Sequence, residues 1–313
     1  MAQSQAEHDE AHTDGVDTKL HNAVRNGETE VVEFLLNHGA NIQARDEDGD
    51  TPLHIAVFCR QVDVANFFLS HGANIEAENN NGETPLHYAA SYGEAPFHSK
   101  LLLSHGANVE AENNNNNTPL HNAASNEQVD VAKLLLSHGA NIQARDKEGH
   151  TPLHYAVSCR QVDVANLFLS HGANIEAEND YGDTPLHRAA LYGEVDIAKL
   201  LLSHGANIQA ESNEGYTPLH YTAFDGRTEV CQLLLEQGAS INAQDGEGDT
   251  PLHVASREGE IDLARILVEQ GADMDTENTH GNTALSIAIR MKQEHIIEFL
   301  QEHGNGSSAE AKV

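Results

Sequence analysis

Gly49-Asp50-Thr51-Pro52-Leu53-His54-Ile55-Ala56 decides the fold, because its centre, Thr-Pro-Leu-His, returns at Thr84, Thr118, Thr151, Thr184, Thr217 and Thr250. Each step is 33 residues except the one from Thr84 to Thr118, which is 34. Degenerate copies, Thr18-Lys19-Leu20-His21 and Thr283-Ala284-Leu285-Ser286, continue the period outward and bring the units to nine. Self-similarity at this period describes one supersecondary unit stacked on itself.

The unit can be read residue by residue. Thr51 is a natural N-cap, and Pro52 has the fixed φ and missing donor that a first helical position accepts. Leu53, Ala56 and Val57 fall at i, i+3 and i+4 and make an apolar stripe, while Ile55, Phe58 and Cys59 form another, outward face. A second apolar run, such as Ile197, Leu200, Leu201 and Leu202, ends at His204-Gly205, where glycine takes a left-handed cap. Helices of about two to three turns do not persist alone, so stability must come from stacking neighbours. Asn74 to Glu78 alternates with period two ahead of Gly82 and predicts a finger strand with its turn.

The 33-residue spacing and the Thr-Pro-Leu-His-x-Ala motif resemble the ankyrin repeat from about Thr18 to His303. The resemblance implies an all-α repeat solenoid of stacked helix-turn-helix units with projecting β-hairpin fingers, and a role in binding other proteins. It divides the chain into a polar acidic tail at 1–17, an array at 18–304 and a polar tail at 305–313. The repeats are 18–45, 46–78, 79–112, 113–145, 146–178, 179–211, 212–244, 245–277 and 278–304. In proteins similar to this one the motif histidine bonds the Thr hydroxyl and nearby backbone as a neutral imidazole.

Composition narrows the function. Forty-nine acids against 17 Lys and Arg give a formal net charge of −32, with acids concentrated on the fingers, as at Asp46, Glu47, Asp48 and Asp50, and at Asp245, Glu247 and Asp249. A phosphate backbone wants a basic surface, so nucleic acid is disfavoured as a direct ligand. The charge serves solubility, and it also fits a basic protein partner. The first 17 residues lack the n- and h-regions of a signal peptide, and no stretch is long enough to span a bilayer. Three cysteines without zinc spacing fit a reducing, cytoplasmic compartment, and a monomer is expected.

Of 21 histidines, eight end the motif and six precede Gly-Ala-Asn, with His303 keeping that last place, so 15 read as scaffold and not as metal ligands. No nucleophile elbow, phosphate loop or metalloprotease motif is present, and neither enzyme activity nor a cofactor is expected. Asn116 stands where other fingers have glycine, as at Gly82 and Gly149, since Asn tolerates positive φ. Arg60, Glu127, Arg160 and Lys292 replace the glycine that ends the first helix elsewhere, as at Gly93 and Gly193. The extra residue of the 34-residue step falls near Ala95-Pro96.

A longer period locates the candidate site. Residues 41–94 and 141–194 are near copies that differ at eleven of 54 positions, and ten of the eleven occupy five places in the repeat. Those places are the finger tip and the outward side of the first helix, which in ankyrin proteins form the concave recognition surface. In the first copy they hold Glu47, Asp48, Asp50, Phe58 and Tyr88, with Tyr92 beside them. In the second they hold Lys147, His150, Tyr155, Tyr181, Asp183 and Arg188, with Tyr192 beside them. Tyr216, Tyr221 and Phe224 extend the tyrosine cluster, and such residues are typical interface anchors. The expected function is a non-catalytic interaction module or scaffold that binds a protein through this face. The rival reading is a host-targeting effector delivered into another cell.

Overall fold

A computed structural model describes residues 15–92 and 96–307, with side chains through residue 304; Gly93 and Ala95 lie outside these. Among the described residues there are 18 helices and no strand. The chain divides into two compact units, 1–147 and 148–313. The first holds α1 (15–26), α2 (Thr29–Asn37), α3 (Pro52–Phe58), α4 (Val62–Ser70), α5 (Pro85–Tyr92), α6 (Phe97–Ser104), α7 (Pro119–Ser125) and α8 (Val129–Ser137). The second holds α9 (Pro152–Ser158), α10 (Val162–Ser170), α11 (Pro185–Tyr192), α12 (Val195–Ser203), α13 (Pro218–Phe224), α14 (Thr228–Glu236), α15 (Pro251–Glu258), α16 (Ile261–Glu269), α17 (Ala284–Met291) and α18 (Glu294–Ser307). From α3 in the first unit and from α9 in the second, each first helix packs on the next first helix and, from α4 and from α10, each second helix on the next second helix, which is the stacked helix-pair solenoid that the period implies.

Proline and threonine set the start of each first helix. Thr51 is extended (φ −83°, ψ 164°) with Pro52 at the first helical position, and Thr51 and His54 cap each other reciprocally. The His54 Nδ1 accepts from the Thr51 amide at 3.1 Å and meets its hydroxyl at 2.8 Å. Its Nε2 lies 3.0 Å from the Glu83 carbonyl of the next repeat. A ring that must accept at Nδ1 and donate at Nε2 is held in one neutral tautomer. The same bridge to the next repeat recurs from His87 to Asn117, His154 to Asp183, His187 to Tyr216 and His220 to Asp249. Thus one side chain both starts a helix and fixes the spacing to its neighbour. The histidines before Gly-Ala-Asn use the other nitrogen: His204 Nδ1 donates to the Leu200 carbonyl at 3.0 Å, and Gly205 (φ 87°) ends the turn.

The core is thin and continuous within each unit, as in Leu53, Ala56, Val57, Val64, Ala65 and Phe68, none more than 3% exposed. Arg60, Glu127, Arg160, Lys292 and Asn116 all adopt positive φ, between 58° and 65°, so the glycine backbone is kept without glycine. A non-glycine residue there costs about 1 kcal/mol or more. Arg160 also forms an ion pair with Glu194 at 2.6 Å.

Two features depart from the sequence reading. Thr18 does not start a helix; with no proline after it, it lies inside α1, and Asp17 accepts a hydrogen bond from the Asn41 amide at 2.8 Å. The expected strand at Asn74–Glu78 is a turn. The Asn74 side chain accepts from the Glu76 amide at 3.0 Å and its carbonyl from the Ala77 amide at 3.3 Å, so local side-chain bonding defeats the extended form.

Because α15 and α16 bury one face against α17 and α18, deleting 278–313 should expose Leu252, Val254, Leu263 and Leu267. The truncated chain is expected to aggregate or to lose amide-exchange protection through Leu252–Val268. A monomer with unchanged protection there would show that the last repeat is not a cap.

Candidate functional site

Each finger is a loop tied at its base. The Asp46 carboxylate accepts from the amides of Asp48 (3.1 Å) and Asp50 (2.9 Å), and Asn79, Asn113, Asn179, Asp245 and Asn278 do the same in their own fingers. Gly49 takes φ 79°, where a Cβ would lie 2.8 Å from the Asn80 amide. Successive fingers then bond through the backbone: Asn80 to Asp48 and Asn114 to Asn81 in the first unit, Asp180 to Glu148 and Asn213 to Tyr181 in the second, at 2.9–3.0 Å. The sequence pattern shows these Asx residues only as turn chemistry and does not single out the one at the loop's base, whose signal is its fixed place five residues before the Thr.

In the first unit the face carries Phe58, Tyr88 and Tyr92, with ring centroids 5.0–6.2 Å apart in edge-to-face contact. Phe58 is 50% and Tyr92 49% exposed. Tyr88 is half-buried and donates its hydroxyl to the Asp50 carboxylate at 2.9 Å, while Asn79 donates to the other oxygen at 2.9 Å. Burial, together with that bond to Asp50, holds the Tyr88 phenol above its ordinary pKa. Glu47 and Asp48 remain exposed at the finger tip.

In the second unit Tyr216, Tyr221 and Phe224 form a similar trio, centroids 5.3–6.1 Å apart, all half-buried. The Tyr221 hydroxyl donates to Asp183; burial, together with that bond, raises its pKa. Tyr181 is 60% exposed. Arg188 stacks over Tyr192, 4.9 Å from the ring centroid, and donates to its hydroxyl at 2.6 Å. Tyr155 is half-buried and meets His150 edge-on at 6.2 Å.

Six residues expected on the outward surface or the fingers are buried, among them Asp245, 8% exposed, whose carboxylate is turned onto the Glu247 and Asp249 amides. Asp50, His150 and Asp183 are 8%, 8% and 3% exposed, and Ile55 is 3% exposed. The cause is shared by the two acids: a side chain from the next repeat reaches back over the residue that precedes the Thr, Tyr88 over Asp50 and Tyr221 over Asp183. Glu83 receives Asn122 in the same way at 3.3 Å, and its carboxyl is raised by burial. Asp249, expected as a finger acid, is 2% exposed and pairs with Arg257 and with Asn278, the latter at 2.6 Å. Glu47, Asp48, Phe58, Tyr92, Lys147 and Tyr181 are exposed. Tyr88, Tyr155, Arg188, Tyr192, Tyr216, Tyr221 and Phe224 line the face half-covered.

Among the described residues no three His, Cys, Asp or Glu side chains converge as metal ligands would, and no helix is long and apolar enough to cross a membrane. Cys231 is buried, its thiol pushed up to about 11 by desolvation.

A family model described as ankyrin repeats (3 copies) matches the chain at residues 2–79, 73–146, 100–179, 142–212, 174–245 and 241–311. No curated protein matches it.

Proposed function

The chain belongs to the ankyrin-repeat family, and from that premise we propose that it is a non-catalytic scaffold holding a basic protein partner against the concave face of its repeats. Ankyrin repeats are generally protein-protein interaction modules, and the family is typically non-catalytic. The observation that carries the finer reading is that exposed aromatic side chains stand at the fingers within each unit: Phe58 and Tyr92 against Tyr88, which bonds Asp50 of the finger bearing Glu47 and Asp48, in the first, and Tyr181 on its own finger in the second. Aromatic groups supply contact area at low entropic cost, and acids beside them favour a cationic partner. A monomer in a reducing, cytoplasmic setting fits this reading, as does delivery into another cell as an effector.

Affinity capture from source lysate tests the proposal, with Phe58→Ser, Tyr92→Ala and Tyr181→Ala as controls. At least one of the three should cost about 2 kcal/mol of partner binding with an unchanged melting temperature. Tyr221 and Tyr88 are unsuitable for this purpose, since each holds a buried carboxylate. With the captured partner in hand, the association rate constant should fall as salt rises from low to physiological levels. A rate indifferent to salt would leave the charge with solubility alone.

A further inference from the structure

The two duplicated copies diverge in a concerted way at one spot. In the first copy Phe58 packs on Tyr88, and Tyr88 donates to Asp50. In the second copy all three residues have changed together, to Ser158, Arg188 and His150. Here the Arg188 Nε–H points to the Ser158 hydroxyl oxygen at 3.4 Å and one Nη2–H donates to the Tyr192 hydroxyl at 2.6 Å. Among the described residues the other N–H groups of the guanidinium meet no acceptor and no carboxylate pairs with it, in a chain with 49 acids. Both hydroxyls receive a hydrogen bond from Arg188, so their own hydrogens are free to donate outward.

We propose that Arg188, Ser158 and Tyr192 form a carboxylate-recognition site that takes an Asp or Glu side chain of the bound protein. The inference rests on the interaction-module reading and sharpens it: the ligand is basic overall but presents an acid at this place. All three groups offer donors, so the ligand atom must accept, and a planar carboxylate matches the guanidinium fork. One cation and two neutral hydroxyls balance a single negative charge. A phosphate would bring about two charges into a chain that is already strongly acidic. The bonds to Ser158 and Tyr192, with the guanidinium carbon 4.9 Å from the Tyr192 ring centroid, hold the fork in advance, which lowers the ordering cost of binding.

The test is selection of a random peptide library on the full chain, followed by synthesis of the enriched peptides. Acid-bearing peptides should be enriched. Their affinity should fall at least about tenfold when Arg188 becomes Gln, and equally when the peptide acid becomes its amide, with Arg188→Lys intermediate. Thermal melts confirm that each variant is folded. Peptides that bind but are indifferent to Arg188→Gln overturn this site and leave the module reading standing. Failure to enrich any peptide overturns both. A phosphoserine peptide that binds more tightly than its Glu counterpart overturns the assignment to a carboxylate.

Discussion

Acidification from pH 7 toward pH 5 is expected to unfold the stack well before its ordinary carboxylates titrate. Burial lowers the pKa of His54, His87, His187 and His220 from 6.5, in His87 to about 4. Each ring accepts an amide at Nδ1, so a proton there would break the cap and place a cation in the core. Unfolded, these rings would take up protons just below pH 6.5, whereas in the folded chain they would not, His87 holding out to about 4. Stability from these groups is therefore complete above pH 6.5 and declines below it, through a window that for His87 extends to about 4. For His87 the contribution is on the order of 3 kcal/mol. Denaturant midpoints across the range should decline from just below pH 6.5, and imidazole NMR should report the Nε2–H tautomer until unfolding. A midpoint that is flat down to about pH 5 would mean that the histidines are not what links the repeats.

The stacking itself is legible in the amino-acid sequence, while the histidine bridge to the next repeat is a finding of the structure. The period places the helices, proline and threonine place their starts, and the positive-φ glycine substitutes at Arg60, Arg160 and Lys292 stand out once the repeats are aligned on one another. The candidate face is legible only in part, for a physical reason. Local periodicity gives the direction of a side chain but not what arrives from the next repeat to cover it. Asp50 and Asp183 sit at an outward place and are nevertheless buried, because Tyr88 and Tyr221 cross 38 residues of sequence to reach them. Phe58 and Tyr92 have no such cover and stay exposed. The finger strand fails differently, since a single asparagine side chain at Asn74 outcompetes the alternation of its neighbours.

A buried acid at the same place, covered here by Arg257 of its own repeat and by Asn278 of the next, predicts the largest effect of a single substitution. Asp249 occupies the place of Asp50 and Asp183, is 2% exposed, and is neutralised by Arg257 with further support from Asn278. Removing Arg257, itself 29% exposed, leaves the buried Asp249 carboxylate with Asn278 alone, so Arg257→Met should destabilise by about 1–3 kcal/mol. Neutral residues already stand at the same place in other repeats, at Asn117 and Asn282. Adding Asp249→Asn to Arg257→Met should therefore restore most of the loss, since nothing charged is left stranded. Chemical denaturation of the two single variants and the double variant closes the cycle. A double variant as unstable as Arg257→Met alone would show that Arg257 acts through the packing of its stem and not through Asp249, and that acids at this place are surface groups after all.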